Sequence, residues 1–274
     1  MRYLWILFNT AIWTTILGLF GVIVSIFEPR RGRTLGYCAN IWAKLVLFFG
    51  GVNYSVKGLE FLEPKGSYVF AGNHASYFDI LLAFAGLPYW MVSIAKIELK
   101  FIPVLGWVMR AAGHIFVDRW QKDKALQSLE IAKESLIKIP RSVLLFPEGT
   151  RTKDGSLGQF KRGGLLLGIE TGIPIVPVAF VNTCEMLEKG SWTMKNHPIE
   201  LRIAKPIPTG TYTYETRQNL ARHVKAEVQQ LLDQDSCTLF TRPTHFPIEG
   251  LRNLILYRNP LWWLFGKRCS RGRY

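Results

Sequence analysis

Apolar and polar residues divide the chain into regions of different character. From Tyr3 to Phe27 the run YLWILFNTAIWTTILGLFGVIVSIF contains no charge over 25 residues, which is long enough to cross a bilayer. It is too long for the apolar region of a signal peptide, and no small-residue cleavage pattern follows it; a buried core helix is the alternative. A shorter apolar run, YCANIWAKLVLFFGGV, carries Lys44. The arginines of EPRRGR between the two runs mark a cytoplasmic flank. If both runs crossed, the rest of the chain would lie across the membrane from those arginines. The expectation is therefore a helical hairpin, with one or both helices in the cytoplasmic leaflet and Lys44 snorkelling toward lipid phosphates.

Beyond Asn53 the pattern changes to short apolar runs punctuated by glycine and proline. SYVFAG, HIFVDR, SVLLFPEGT and IPIVPVAFV read as buried strands, and IELRIAKPI as an edge strand. Helical spacing appears in KALQSLEIAKESLIKI, with Leu126, Leu129, Ala132, Leu136 and Ile139 on one side before Pro140 stops the run. GGLLLGIETG and TRQNLARHVKAEVQQLLDQ read as two further helices, and another begins near Ser76. This alternation predicts an α/β fold, a mixed and largely parallel sheet flanked by helices, behind an N-terminal membrane-associated hairpin. The expected division is a two-helix segment over 1–53, an α/β domain over 54–245 and a tail over 246–274. The tail interleaves Trp262, Trp263 and Phe265 with Lys267, Arg268, Arg271 and Arg273, which suits a membrane interface or an aromatic anchor packed on the domain.

Charge narrows the partners. A formal net charge of +14 calls for an anionic one, either nucleic acid or anionic membrane lipids with acidic lipid substrates. The bilayer-length apolar run, with no recognisable nucleic-acid motif, argues against nucleic acid. Cys38, Cys184, Cys237 and Cys269 are scattered and form no C-x-x-C pair, so neither a zinc site nor a disulfide framework is expected. Reduced thiols fit a reducing compartment.

The stretch AGNHASYFDI places His74 at the carboxyl end of a predicted strand and Asp79 five residues later. Such strand ends are where α/β sheets expose functional groups. Ser76 and Asp79 are spaced as a helix-start cap, so a cap beside a structural histidine is one reading of this peptide. In the other, the Asp79 carboxylate curls back onto one imidazole nitrogen, fixes the tautomer and leaves the other nitrogen to take a proton. No G-x-S-x-G elbow is present, so a nucleophile would arrive with the substrate, as a hydroxyl. FPEGTRT ends another strand and carries Glu148, Gly149 and Arg151: glycine permits close backbone approach, and arginine grips phosphate with two bonds. A tight turn with a solvated ion pair is the competing reading. AKIELKFIPVLGWVMRAAGHIFVDR mixes apolar residues with Lys96, Lys100, Arg110 and Arg119, as would a surface meeting both acyl chain and phosphate, or a core strand ending in an Asp118–Arg119 pair. Lys161 and Arg162 in QFKRGG are further candidate phosphate or membrane contacts. His114, His197, His223 and His245 lack a matching carboxylate spacing.

Taken together, these stretches resemble the glycerolipid acyltransferases, and specifically the 1-acylglycerol-3-phosphate (lysophosphatidate) acyltransferases. NHASYFD is similar to the NHxxxxD block of that family, GHIFVDR to its second block, FPEGTR to its third and IVPVAF to its fourth, in the family's order from about Val69 to Phe180. The resemblance implies that His74 is the general base for an acceptor hydroxyl and that Asp79 orients it. It implies acyl-CoA or acyl carrier protein as the thioester co-substrate. Arg119, Glu148, Gly149, Thr150 and Arg151 would shape the glycerol-phosphate site, and Pro177 would line an acyl or acceptor pocket. The acceptor implied is the sn-2 hydroxyl of lysophosphatidic acid, on the cytoplasmic face of a membrane (the inner membrane in a bacterium), with no metal or permanent cofactor. Another lysophospholipid, glycerol 3-phosphate or a lyso-aminolipid as acceptor, a thioesterase, and a basic membrane-binding module stand as alternatives. Val117, Thr152 and Ala204 depart from the family's commoner residues and bear on acceptor and acyl preference rather than on the His74–Asp79 pair.

Overall fold

The structure, a computed structural model, describes residues 1–28, 32–118 and 120–234. Arg119, the expected tail and the boundary before it lie outside the described residues. In chain order the elements are α1 (Arg2–Ile26), α2 (Arg33–Phe49), β1 (Tyr54–Lys57), β2 (Val69–Gly72), α3 (Phe78–Gly86), β3 (Met91–Lys96), α4 (Leu105–Ala111), β4 (Ile115–Val117), α5 (Lys122–Lys138), β5 (Ser142–Leu145), α6 (Arg162–Thr171), β6 (Ile175–Val181), α7 (Thr183–Met186), β7 (Ile199–Ile203) and α8 (Arg217–Asp233). The seven strands form one sheet in the order β1-β7-β6-β2-β5-β3-β4. All neighbours run parallel except β6 and β7. The expected mixed, largely parallel sheet with flanking helices is the fold observed.

Alternation along the strands builds a core on each face. Phe70, Val176, Val178 and Phe180 pack with α3 and with Val46 and Leu47 of α2. Val69, Ala71, Ile175 and Ala179 pack with Leu136 of α5, Leu165 of α6 and Val224 of α8. Because β2, β3, β4, β5 and β6 all run the same way, their carboxyl ends share one edge of the sheet. The loop bearing His74, the loop bearing Glu148 and the segment after Val181 therefore emerge side by side, as open α/β sheets arrange their sites.

One strand sits differently from its sequence pattern. IELRI reads as an edge because Glu200 and Arg202 alternate with apolar residues, but β7 is interior and β1 pairs along its outer side, Tyr54 with Ile199 through Lys57 with Arg202. The two charges are buried and satisfied by one another. Arg202 Nη2 lies 2.9 Å from Glu200 Oε2, Lys57 Nζ lies 2.8 Å from Glu200 Oε1, and Arg202 Nη1 donates to the Leu231 carbonyl of α8 at 2.7 Å. An alternating charged strand has the same pattern whether its charges meet water or each other. The short strands β1 and β3 carry no clean period in the sequence.

The apolar N-terminal run forms α1, which among the described residues is the helix long and apolar enough to cross a membrane. Its buried stripe is Ile6, Asn9, Gly18, Gly21 and Ser25. Leu4, Phe8, Leu19, Phe20 and Ile23 are exposed. Small residues let α1 lie close to α2, where a Cβ on Gly21 would sit 2.5 Å from Leu35 Cδ2. The helix α2 in turn is tied to α3, with Asn40 Nδ2 donating to the Phe84 carbonyl at 2.7 Å.

Gly72 closes β2 immediately before the His74 loop. A Cβ there would lie 2.7 Å from the Val178 carbonyl oxygen and 2.8 Å from Val178 Cγ2, so β2 and β6 would have to part. Gly72→Ala should lose about 1–3 kcal/mol of stability through overpacking. Thermal unfolding checks this, and an unchanged Tm would contradict the close approach.

Candidate active site

His74 leaves β2 in a loop, and Asp79 occupies the first turn of α3. The imidazole Nδ1–H donates to Asp79 Oδ2 at 2.8 Å. The same oxygen accepts the backbone N–H of Ala75 and of Ser76, each at 2.8 Å. The carboxylate that partners the histidine therefore also holds the turn leading into α3, although the N-cap position of that helix, Tyr77, has no side-chain cap bond. Asp79 is fully buried, while the His74 side chain keeps 12% of its exposure, so the orienting group is sealed and the ring remains reachable. A carboxylate only accepts hydrogen bonds, so Nδ1 carries the proton and Nε2 presents its lone pair. The ring stacks on Phe146, with centroids 4.0 Å apart and planes 18° apart.

The FPEGTR loop grips His74 through its main chain. Glu148 Oε1 accepts the His74 N–H at 2.7 Å, and Oε2 accepts the Gly158 N–H at 3.0 Å. Thr152 N–H donates to the His74 carbonyl at 2.9 Å. Glu148 is therefore buried and committed to backbone donors on both oxygens. Burial pushes its carboxyl above the ordinary range, against the opposing pull of those two N–H groups. Gly149 makes the turn in the left-handed region, φ 74°, and a Cβ on it would lie 3.0 Å from Lys161 Nζ, which places that ammonium over the turn.

Arg151 follows, half-buried, with its guanidinium carbon 3.7 Å from the centroid of the Tyr77 ring. Lys189 Nζ donates to the Arg151 carbonyl at 2.7 Å and approaches Thr150 Oγ1 at 3.4 Å. Glu148, Gly149, Thr150, Arg151 and Lys161 are thus brought to the His74 loop. Lys96 instead meets Glu98 in an exposed pair at 2.9 Å. Pro177 is buried within β6, opposite Ala71, and by alternation shares the face of Ile175 and Ala179, not that of Phe180 and the Phe146 ring beneath His74. A proline is tolerated there because its missing N–H points toward β7 where that ladder ends, and its carbonyl still accepts the Ala204 N–H at 2.9 Å. Arg119 lies outside the described residues.

The sequence reading passed over two residues that matter to the geometry. Asn73 bridges to β6 with both ends of its amide, donating to the Phe180 carbonyl at 3.0 Å and accepting the Phe180 N–H at 2.8 Å. An asparagine at a strand end is the available signal, although its partner is 107 residues away. Tyr77 is the other, half-exposed between two recognised positions. Among the remaining histidines, His114 accepts the Ser93 N–H at 3.0 Å through Nδ1, and loss of solvent, with nearby Arg141, pushes its pKa down to about 4. It has no carboxylate partner among the described residues. Among the described residues no group of three or more His, Cys, Asp or Glu side chains could hold a metal ion.

Comparison with known proteins converges on this region. The Acyltransferase family matches residues 53–181. The protein named 1-acyl-sn-glycerol-3-phosphate acyltransferase in Limnanthes douglasii is 31% identical over 198 residues, spanning 72% of this chain and 70% of that one. The Saccharomyces cerevisiae protein of the same name is 30% identical over 242 residues, 85% of this chain and 78% of its own length. The crystal structure of the 1-acyl-sn-glycerophosphate (LPA) acyltransferase PlsC from Thermotoga maritima aligns with a TM-score of 0.71 at 26% identity, covering 86% of this chain and 96% of that one.

Asp79→Asn keeps an oxygen for the Ala75 and Ser76 N–H groups but removes the charge that supports an imidazolium. It should leave Tm little changed and lower kcat by about 10²–10⁴-fold, the range a positioned base contributes. Equal loss of fold and rate would instead make Asp79 a cap alone. Glu148→Gln supplies one acceptor oxygen where two backbone donors need one each, so an N–H is left facing an amide NH₂. It should cost about 1–3 kcal/mol in urea denaturation, and wild-type stability would contradict the latch.

Proposed function

The chain belongs to the glycerolipid acyltransferase family, and on that premise we propose that it moves a fatty acyl group from an acyl thioester to the sn-2 hydroxyl of 1-acyl-sn-glycerol 3-phosphate, giving phosphatidic acid. The observation that carries the reading is the 2.8 Å His74–Asp79 contact with Nε2 left open. His74 Nε2 takes the hydroxyl proton as the alcohol oxygen attacks the thioester carbonyl carbon. Asp79 supports the positive charge that develops on the ring. As the tetrahedral intermediate collapses, the C–S bond breaks, the acyl group stays on the alcohol oxygen, and the thiolate of coenzyme A or acyl carrier protein leaves with the proton returned by the imidazolium. No electron changes hands, and no metal or cofactor is required by this balance.

Arg151, with Lys161 and Thr150 beside it, supplies the anchor for the acceptor's phosphate; a guanidinium holding phosphate by two bonds fixes both place and orientation. Arg119 joins that group on the strength of the second sequence block alone. Glu148 acts one step back, holding the His74 main chain. A basic chain attached through α1 to the cytoplasmic face of an anionic membrane meets both phosphate-bearing substrates where they occur.

Purified protein given one labelled acyl thioester and a panel of 1-acyl-glycerol 3-phosphate, glycerol 3-phosphate, a neutral-headed lysophospholipid and a lyso-aminolipid should transfer fastest to the first. Transfer to another member of the panel instead would reassign the acceptor. Thiol release at the same rate without any acceptor would make the reaction hydrolysis. Arg151→Ala should raise the KM of the phosphate-bearing acceptor about tenfold or more, as the loss of charged hydrogen bonds implies. An unchanged KM would remove Arg151 from the phosphate site.

A further inference from the structure

Arg151 reaches its position with an aromatic partner and not an acidic one. Among the described residues its guanidinium neither pairs with a carboxylate nor donates a hydrogen bond, and its carbon lies 3.7 Å from the Tyr77 ring centroid. A stacked ring holds the planar fork by its face and leaves the donors in the plane free. A carboxylate in the same place would occupy those donors and compete with a phosphate. Tyr77 itself is 54% exposed, so the ring buries little apolar area of its own, and core packing does not explain it.

The placement of Tyr77 in the chain adds the second strand of the argument. It immediately precedes α3 and stands two residues before Asp79, whose Oδ2 holds His74 and the N–H groups of Ala75 and Ser76. One tight turn therefore carries both the group that orients the base and the ring that orients the arginine. From the other side, Thr152 N–H on the His74 carbonyl and Lys189 on the Arg151 carbonyl hold the main chain flanking that arginine. In a 1-acyl-glycerol 3-phosphate the reacting hydroxyl and the phosphate are joined by a single short link, C2–C3–O–P. An enzyme acting on it must fix its proton acceptor and its phosphate grip at a constant separation.

We propose that Tyr77 is a positioning residue that presents the Arg151 fork to the acceptor's phosphate at a set distance from His74, and so favours phosphate monoesters over acceptors lacking that group. This rests on the reading of Arg151 as the phosphate anchor. The full-length protein carrying Tyr77→Leu, Tyr77→Phe, Arg151→Ala or Tyr77→Leu with Arg151→Ala is assayed with 1-acyl-glycerol 3-phosphate and one acyl thioester. Tyr77→Leu should raise the acceptor KM about two- to fivefold, the scale of an exposed cation–π contact, with saturated kcat and the thioester KM unmoved. Tyr77→Phe, which keeps the ring, should restore the KM. In the Arg151→Ala background Tyr77→Leu should add nothing, because the group it positions is gone. A wild-type KM in Tyr77→Leu, a full additional effect in the double variant, or a fall in kcat at constant KM would each overturn the inference. If Arg151→Ala leaves the acceptor KM unchanged, the phosphate reading itself fails, and this inference falls with it.

Discussion

The main chain of His74 is gripped from both sides, and the site depends on that grip. Its N–H is taken by Glu148 and its carbonyl by the Thr152 N–H, so two loops that leave different strands behave as one piece. The neighbouring residue, Asn73, fastens the same loop to the backbone of Phe180 on β6. Three strand ends, β2, β5 and β6, are thereby locked around a single histidine whose side chain remains free to act. On the His74 side the latch uses backbone groups, held by the Glu148 carboxylate and by the Thr152 N–H. The imidazole is placed by the fold itself and not by its own torsions alone.

Both carboxylates here are buried, and they meet their donors differently: all the donors to Asp79 fall on Oδ2, and Oδ1 has no partner among the described residues. Asp79 gathers three N–H donors on one oxygen, two of them from the turn before α3, so the backbone of that turn also fixes the partner of His74. Glu148 shares its oxygens between the His74 loop and Gly158, and burial still raises its carboxyl above the usual range. The cationic residues lie further out, at the rim. Arg151 rests on an aromatic ring and Lys161 lies over the Gly149 turn, both able to meet an anion, whereas Arg202 is deep inside and neutralised by Glu200. Like residue types thus stay open to an anion or serve the fold according to whether a carboxylate already holds them.

What the sequence made legible was whatever is local. The His74–Asp79 contact spans five positions, the helix-start pattern three, and the buried strands SVLL and IVPVAFV are continuous apolar runs whose parallel pairing follows from the helices between them. The mixed sheet could be read in outline for the same reason. What was not legible depends on distant partners. Glu148 looked like a ligand-facing charge in a turn, and only the fold shows its oxygens turned toward His74 and Gly158. Pro177 stands in a block of sequence suggestive of a pocket but is enclosed in the sheet. The alternation of Glu200 and Arg202 imitated a solvent-facing edge, and β1 was too short to announce that it covers that edge. Tyr77 and Asn73 carry no periodic or charge signal at all; each finds its partner some 70 to 110 positions away.

The central claim is that Asp79 holds the proton on Nδ1 of His74 so that Nε2 is the atom that accepts one from the substrate alcohol. Nitrogen NMR of the full-length protein with labelled histidine, the His74 resonances assigned by their loss in His74→Ala, reads that tautomer directly. With the ring neutral, the account predicts a protonated, pyrrole-like Nδ1 and an unprotonated, pyridine-like Nε2. The opposite pattern, with the proton resident on Nε2, would contradict it.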